Sequence, residues 1–137
     1  MISHQSVVDP SDCDFLGHMN VSKYFAACSD GVLAIQSEMG LTASDMRSGR
    51  RLSFAVVHAN SDFRSELSAG DAVRLESEIL DIGNKSISFR HRLIRAEDDV
   101  IAFESLFKCV LFNLVLRRAE PVPDEVRKAA EQWLAES

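Results

Sequence analysis

From Val21 onward the apolar residues Val21, Tyr24, Phe25, Cys28, Val32, Ile35 and Met39 recur at steps of three and four. That spacing gathers them on one side of an α-helix. Asn20 is a good N-cap and Gly40 sits where such a helix would stop, so the pattern predicts one long helix between them. Gly31 in its middle costs about 1 kcal/mol relative to Ala. Ala26 and Ala27 beside Tyr24 leave little polar face there, which predicts a well-buried helix at the centre of the domain.

Beyond a polar connection, ASDMRSGRR, the period changes to two. LSFAVVHANSDF predicts a strand with Phe54, Val56, His58, Asn60 and Asp62 on one face and Ala55, Val57, Ala59, Ser61 and Phe63 on the other. After a turn at SAGD, AVRLESEIL sets Val73, Leu75 and Ile79 against Arg74, Glu76 and Glu78. After a turn at IGNKS, SISFRHRLIR sets Ile87, Phe89, His91 and Leu93 against Ser88, Arg90 and Arg92. VIAFESLFKCVLFNLVL ends apolar on both faces and should be covered on both. A short strand around Gln5 to Val8 makes about five in all. A last helix begins near Pro123 and Asp124, with Val126, Ala130 and Trp133 on one side, and is expected on the surface. The class is α+β, one long helix against an antiparallel sheet.

Composition narrows the function classes. The 137 residues show no repeat or low-complexity linker, so residues 1–137 are read as one domain, and 46% hydrophobic content suffices for a core. A net charge of −6 with 7% aromatic residues speaks against a nucleic-acid surface. Three widely spaced cysteines without a C-x-x-C form neither a disulfide framework nor a thiolate metal site. The first residues lack a signal-peptide pattern, and no uncharged apolar run reaches the ~18 residues of a spanning helix. The expectation is a soluble cytoplasmic protein that engages no membrane.

The crowded stretch SDCDFLGHMNVSKY, residues 11 to 24, carries the chemistry. Together with HANSDFRSELSAGD at 58 to 71 and IGNKSISFRHRL at 82 to 93, it resembles the hotdog-fold thioesterases of the 4-hydroxybenzoyl-CoA thioesterase family. The resemblance implies a sheet wrapped around the central helix, and hydrolysis of an acyl thioester, usually of coenzyme A, without metal or redox cofactor. It also implies a homodimer, or a dimer of dimers, with each active site at a subunit interface. GHMN followed by Tyr24 is also similar to a segment of acyl-ACP thioesterases in which Asp, Asn and His act together. In those enzymes an Asn follows the Asp by two; here that position is Leu16, so a side-chain amide there is lost or moved.

Asp14 matches the family's catalytic carboxylate, as general base on a water or as nucleophile. The backbone N–H of Val21 matches the family's polarising amide, and a helix start leaves such groups unpaired and partly positive. His18 follows Asp14 by four, so a helical turn would bring the two side chains together; otherwise His18 fixes the bend. Asp12 either raises the pKa of Asp14 or, as we prefer, caps the loop. Gly17 allows a positive φ or close approach of substrate. Asn20 is read chiefly as the N-cap, and Tyr24 chiefly as core with a possible place in the acyl pocket. His58 and Asn60 are candidate pocket residues through the face they share with Phe54. Lys85 and Ser86 match positions near the coenzyme A nucleotide in relatives, and Lys85 could meet its phosphates. Arg90 and Arg92 are read as a solvated strand face.

The rivals are a dehydratase or hydratase on the same fold, since fold does not fix reaction, and an acyl-CoA binding protein without activity. No H-E-x-x-H or G-x-S-x-G motif is present, which disfavours zinc and serine hydrolases.

Overall fold

The computed structural model describes residues 1–136. Strands β1 (Ile2–Val7), β2 (Leu52–Phe63), β3 (Ala72–Ile82), β4 (Ser86–Arg95) and β5 (Val100–Asn113) form one antiparallel sheet in the order β1-β3-β4-β5-β2. A two-residue strand, β6 (Arg118–Ala119), pairs with β5. Helix α1 (Val21–Glu38) packs on the inner face of this sheet, and α2 (Ala43–Ser48) and α3 (Asp124–Ala130) lie at its margins. The elements fall where the periodicity placed them, with two corrections.

The first concerns ASDMRSGRR, which is not simply a connection. It contains α2, started by Thr42, whose hydroxyl accepts the Asp45 N–H at 3.1 Å. Six residues with no buried member produce no apolar stripe, so the helix leaves no trace in the hydropathy pattern.

The second concerns the faces of β2. A bulge between Val56 and His58 places Val56 opposite Cys109 and His58 opposite Lys108, leaving Val57 as the extra residue. One inserted residue exchanges the two faces of everything after it. Phe54 therefore packs on Phe89 beneath α1, while farther along it is Phe63 that meets Tyr24, 5.2 Å between ring centroids. Ser61 also turns inward, 2.7 Å from the fully buried Ser105. His58 and Asn60 point the other way and are exposed, not on the face of Phe54.

Helix α1 earns its position by its buried stripe of Tyr24, Ala27, Cys28, Gly31, Val32 and Ile35. The stripe rests on Phe89, Phe103, Leu75, Ile79 and Leu93, all fully buried. Its opposite face, including Ser22, Ser29, Asp30 and Leu33, is exposed, so the helix is buried on one side only. Gly40 takes φ +94° just after the helix, a conformation Gly adopts without steric cost. The inner face of β5 is buried, and its outer Phe112 is covered in part by the Arg117 guanidinium, 5.0 Å from the ring centroid. α3 lies on the surface as predicted, anchored by the buried Val126 and Ala130.

The sheet has two edges, β1 and β2. The start of β2 is blocked: the Phe54 N–H donates to Gln36 Oε1 at 3.3 Å, and the Gln36 amide donates to Ser53 Oγ and to Met46 Sδ of α2. Farther along, Val56, Val57 and Phe63 are about half exposed.

Candidate active site

Residues 9–20 link β1 to α1 through two tight turns. Asp9 and Asp12 cap each other's backbone across a single 3-10 turn that begins at Pro10. Asp12 also lies 3.6 Å from Lys23 Nζ, so it serves the loop, as preferred, and not the ionisation of Asp14. The chain then forms a small hairpin: Cys13 bridges Met19, the Gly17 N–H donates to the Asp14 carbonyl at 3.0 Å, and the Asp14 N–H donates to the His18 carbonyl at 3.3 Å. Gly17 sits at φ +84° with no atom within 4 Å of where a Cβ would stand. Its presence answers a conformational demand, in open space.

The hairpin replaces the helical turn that would have set His18 beside Asp14. His18 instead directs its ring toward Glu66, with Nε2 to Oε1 at 3.6 Å. Asp14 is held by two donors. Oδ1 accepts the Leu16 N–H at 2.9 Å, and Oδ2 accepts the Asn20 Nδ2 amide at 2.9 Å. These bonds hold its carboxyl below the usual range, the Leu16 N–H contributing most and the nearby His18 adding a smaller charge effect. The position two residues after Asp14 thus supplies a backbone N–H, and the side-chain amide that meets Asp14 is that of Asn20. Asn20 is also the N-cap, its Oδ1 accepting the Ser22 N–H at 3.0 Å. Val21 follows as the first helical residue, a position whose N–H has no intrahelical acceptor.

An apolar cleft of about 310 Å³ opens at this helix start. His18, Met19, Val21, Tyr24, Phe63, Arg64, Ser65 and Glu66 line it. Tyr24, Phe63 and Phe103 form its aromatic base, with Phe63 and Phe103 centroids 4.8 Å apart and those of Tyr24 and Phe103 5.1 Å apart. Tyr24 is both core and wall, and its burial raises the phenol pKa. Asp14 stands outside the lining, joined to the rim through Asn20. Segment 63–66 was not assigned to the site from sequence, because what brings it there is a bond across a long chain separation, Met19 N–H to the Leu67 carbonyl at 2.6 Å.

The remaining candidates lie elsewhere. Lys85 ends the turn between β3 and β4 and Ser86 opens β4, with the Lys85 carbonyl accepting the Leu111 N–H at 2.8 Å. The other end of β3 holds Val8 near the site through Asp71. Eleven strand residues separate these ends, about 33 Å at ~3.3 Å per residue. Arg90 and Arg92 do lie on the outer face, but within an ion-pair ladder: Arg90 with Glu78, Arg92 with Glu104 at 2.8 Å, and Arg64 with Glu104 at 3.4 Å. Among the described residues no group of three His, Cys, Asp or Glu side chains gathers for a metal ion.

A curved antiparallel sheet packed around one long helix, with the family match that follows, defines a hotdog-fold thioester hydrolase. The chain belongs to the thioesterase-like superfamily, whose family model matches residues 8–130. Solved structures agree on the fold. A Staphylococcus aureus protein crystallised in complex with CoA is 22% identical at TM-score 0.87, covering 97% of this chain and 85% of its own. A gentisyl-coenzyme A thioesterase is 21% identical at TM-score 0.80, covering 92% of this chain and 97% of its own. A 1,4-dihydroxy-2-naphthoyl-CoA thioesterase from Synechocystis is 19% identical at TM-score 0.81, covering 94% of each chain. No curated protein matches in sequence.

Proposed function

We propose that this protein hydrolyses acyl-CoA thioesters to a free acid and CoA, with Asp14 as the reacting carboxylate and the Val21 N–H as carbonyl polariser. The observation that carries this reading is the bonded pair Asp14–Asn20 at the start of α1, beside an apolar cleft of acyl-group size. The acyl group occupies the cleft against Tyr24 and Phe63, and the thioester oxygen meets the Val21 N–H. As negative charge develops on that oxygen, one such donor contributes about 3 kcal/mol to lowering the barrier. Asp14, ionised at neutral pH, either takes a proton from the attacking water or attacks the carbonyl carbon to give an anhydride that water then opens. The thiolate departs without help from a strong acid. Single-turnover hydrolysis in ¹⁸O-water separates the routes: the anhydride route can leave label in Asp14, and the general-base route cannot.

The Lys85 position supports a dimer joined through β2. The open edge of β2 is a place for another strand to add, and exposed edges of this kind invite pairing. β2 and β4 run in the same direction, because both are antiparallel to β5. An antiparallel β2–β2 junction across a two-fold axis therefore sets the partner subunit's Lys85 at the same end of the joint sheet as the Phe63 cleft. Its strand is three steps away, about 14 Å, a gap the length of coenzyme A can span.

The decisive experiment incubates the protein with short, long, branched and aromatic acyl-CoAs and follows free thiol. Turnover of at least one class is expected. Tight CoA binding with no turnover of any acyl chain would overturn hydrolysis in favour of a binding protein.

A further inference from the structure

We infer that Asn20 is the positioning residue of this active site, one side chain that aligns the Asp14 carboxylate and the Val21 oxyanion donor with each other. The inference rests on the reading of Asp14 as the reacting group and adds a role that an N-cap alone does not have.

The amide of Asn20 makes two bonds that a flipped side chain could not make together. Its Oδ1 accepts the Ser22 N–H at 3.0 Å, and its Nδ2 donates to Asp14 Oδ2 at 2.9 Å. Neither a backbone N–H nor an ionised carboxylate tolerates the opposite end, so chemistry fixes the orientation. The Asn20 N–H is also tied, donating to the Asp12 carbonyl at 2.9 Å. Residue 20 is thus anchored at its backbone, at the helix it starts, and at the carboxylate. Asp14 is clamped on its other oxygen by the Leu16 N–H at 2.9 Å. One donor on each oxygen holds the carboxylate plane, and only the Asn20 donor connects that plane to the helix start. Val21 is the next residue, so any rotation at Asn20 displaces base and oxyanion donor relative to each other. Misplacement of reacting groups by ~1 Å costs about a hundredfold in rate.

Capping and positioning can be separated, because Ser and Asp also cap helices. Asn20→Ser keeps an acceptor for the Ser22 N–H and loses the amide. Asn20→Asp keeps the acceptor and sets a second anion beside Asp14. Asn20→Ala loses both functions. Four measurements decide: thermal stability, the kcat and KM split on the acyl-CoA turned over fastest in the panel, the pH profile of kcat/KM, and an NMR titration of the Asp14 carboxyl that needs no substrate. We expect Asn20→Ser to melt near the parent and to lose about ten- to a hundredfold in kcat, with KM within about threefold. Its acid limb and its Asp14 titration should both move to higher pH, and Asn20→Asp should move them farther. Asn20→Ala should show the same kinetic loss with a lower melting temperature. An Asn20→Ser enzyme with parental kcat and an unmoved Asp14 titration would overturn the inference and leave Asn20 a cap. Full activity in Asp14→Asn, measured alongside, would instead overturn the catalytic reading beneath it.

Discussion

Ser77 Oγ and His91 Nδ1 stand 2.7 Å apart beneath the central helix, inside a row of polar side chains that crosses every long strand of the sheet. Ser3 Oγ lies 2.6 Å from Ser77 Oγ on one side. On the other, Ser105 pairs with His91 across β4 and β5, and Ser61 Oγ lies 2.7 Å from Ser105 Oγ. His91 is fully buried, stacked on Phe89 and edge-on to Phe107, and its Nε2 has no partner among the described residues.

Burial lowers the His91 pKa from 6.5 to about 4. The unfolded chain therefore binds a proton at this residue below pH 6.5 that the folded protein refuses until about pH 4. Stability from this group is present above pH 6.5 and is lost as pH falls through that window, by about 3 kcal/mol in all. Urea unfolding from pH 7 to 4 should show this slope, and a folded His91→Gln variant should flatten it. An unchanged slope in that variant would place the acid sensitivity elsewhere.

Two glycines should respond to alanine for different reasons. A Cβ on Gly31 would stand 2.6 Å from Leu75 Cδ2 and 2.8 Å from Ser3 Oγ, both packed under α1. Overpacking of about 1–3 kcal/mol then exceeds the ~1 kcal/mol gained in helix propensity, and Gly31→Ala should lower the melting temperature. Gly17→Ala meets no atom and should cost only its positive φ, about 1 kcal/mol. Denaturation curves of both variants check the contrast.

Asp14→Asn separates chemistry from folding. The new amide oxygen still accepts the Leu16 N–H, so the hairpin should persist and the melting temperature should stay within a few degrees. Loss of the carboxylate should lower kcat by about a hundred- to ten-thousandfold. Parental turnover in a well-folded Asp14→Asn protein would remove the residue from the mechanism.

Phe63→Ala should widen the acyl site, because Phe63 lines the cleft and packs on Tyr24 and on the buried Phe103. Relative kcat/KM is expected to shift toward bulkier acyl chains by about tenfold, the worth of one or two methylenes in an apolar pocket. An unaltered acyl profile would place the acyl group outside this cleft.

Val57→Lys places a charge on the open edge of β2 and should disfavour strand addition there. Sedimentation is expected to show a dimer in the parent and monomer in the variant, with activity falling in step. A variant dimer of parental stability would exclude the β2 junction.

Much of this was legible in the chain. Periods of two and of about 3.6 set β2, β4 and α1 nearly to the residue, since alternation and stripe are local consequences of burying one face. The segment around Asp14 stood out by its residue types, and the resemblance named the carboxylate. The bulge at Val57 was invisible, because an inserted residue needs no special side chain and only the pairing with Cys109 and Lys108 shows it. His91 was readable as a histidine on an apolar face, but its row of serines comes from four other strands.

Sequence alone therefore determined that the long segments become strands and one long helix, because alternation and stripe depend on neighbours a few residues away, and the resemblance singled out Asp14. Tertiary structure alone decided that Asn20 bonds Asp14, that His18 turns to Glu66, that segment 63–66 walls the cleft, and that Lys85 lies a strand's length from Asp14 in the same chain. Each of those is set by strand register and turn geometry, which bring together residues that no local pattern relates.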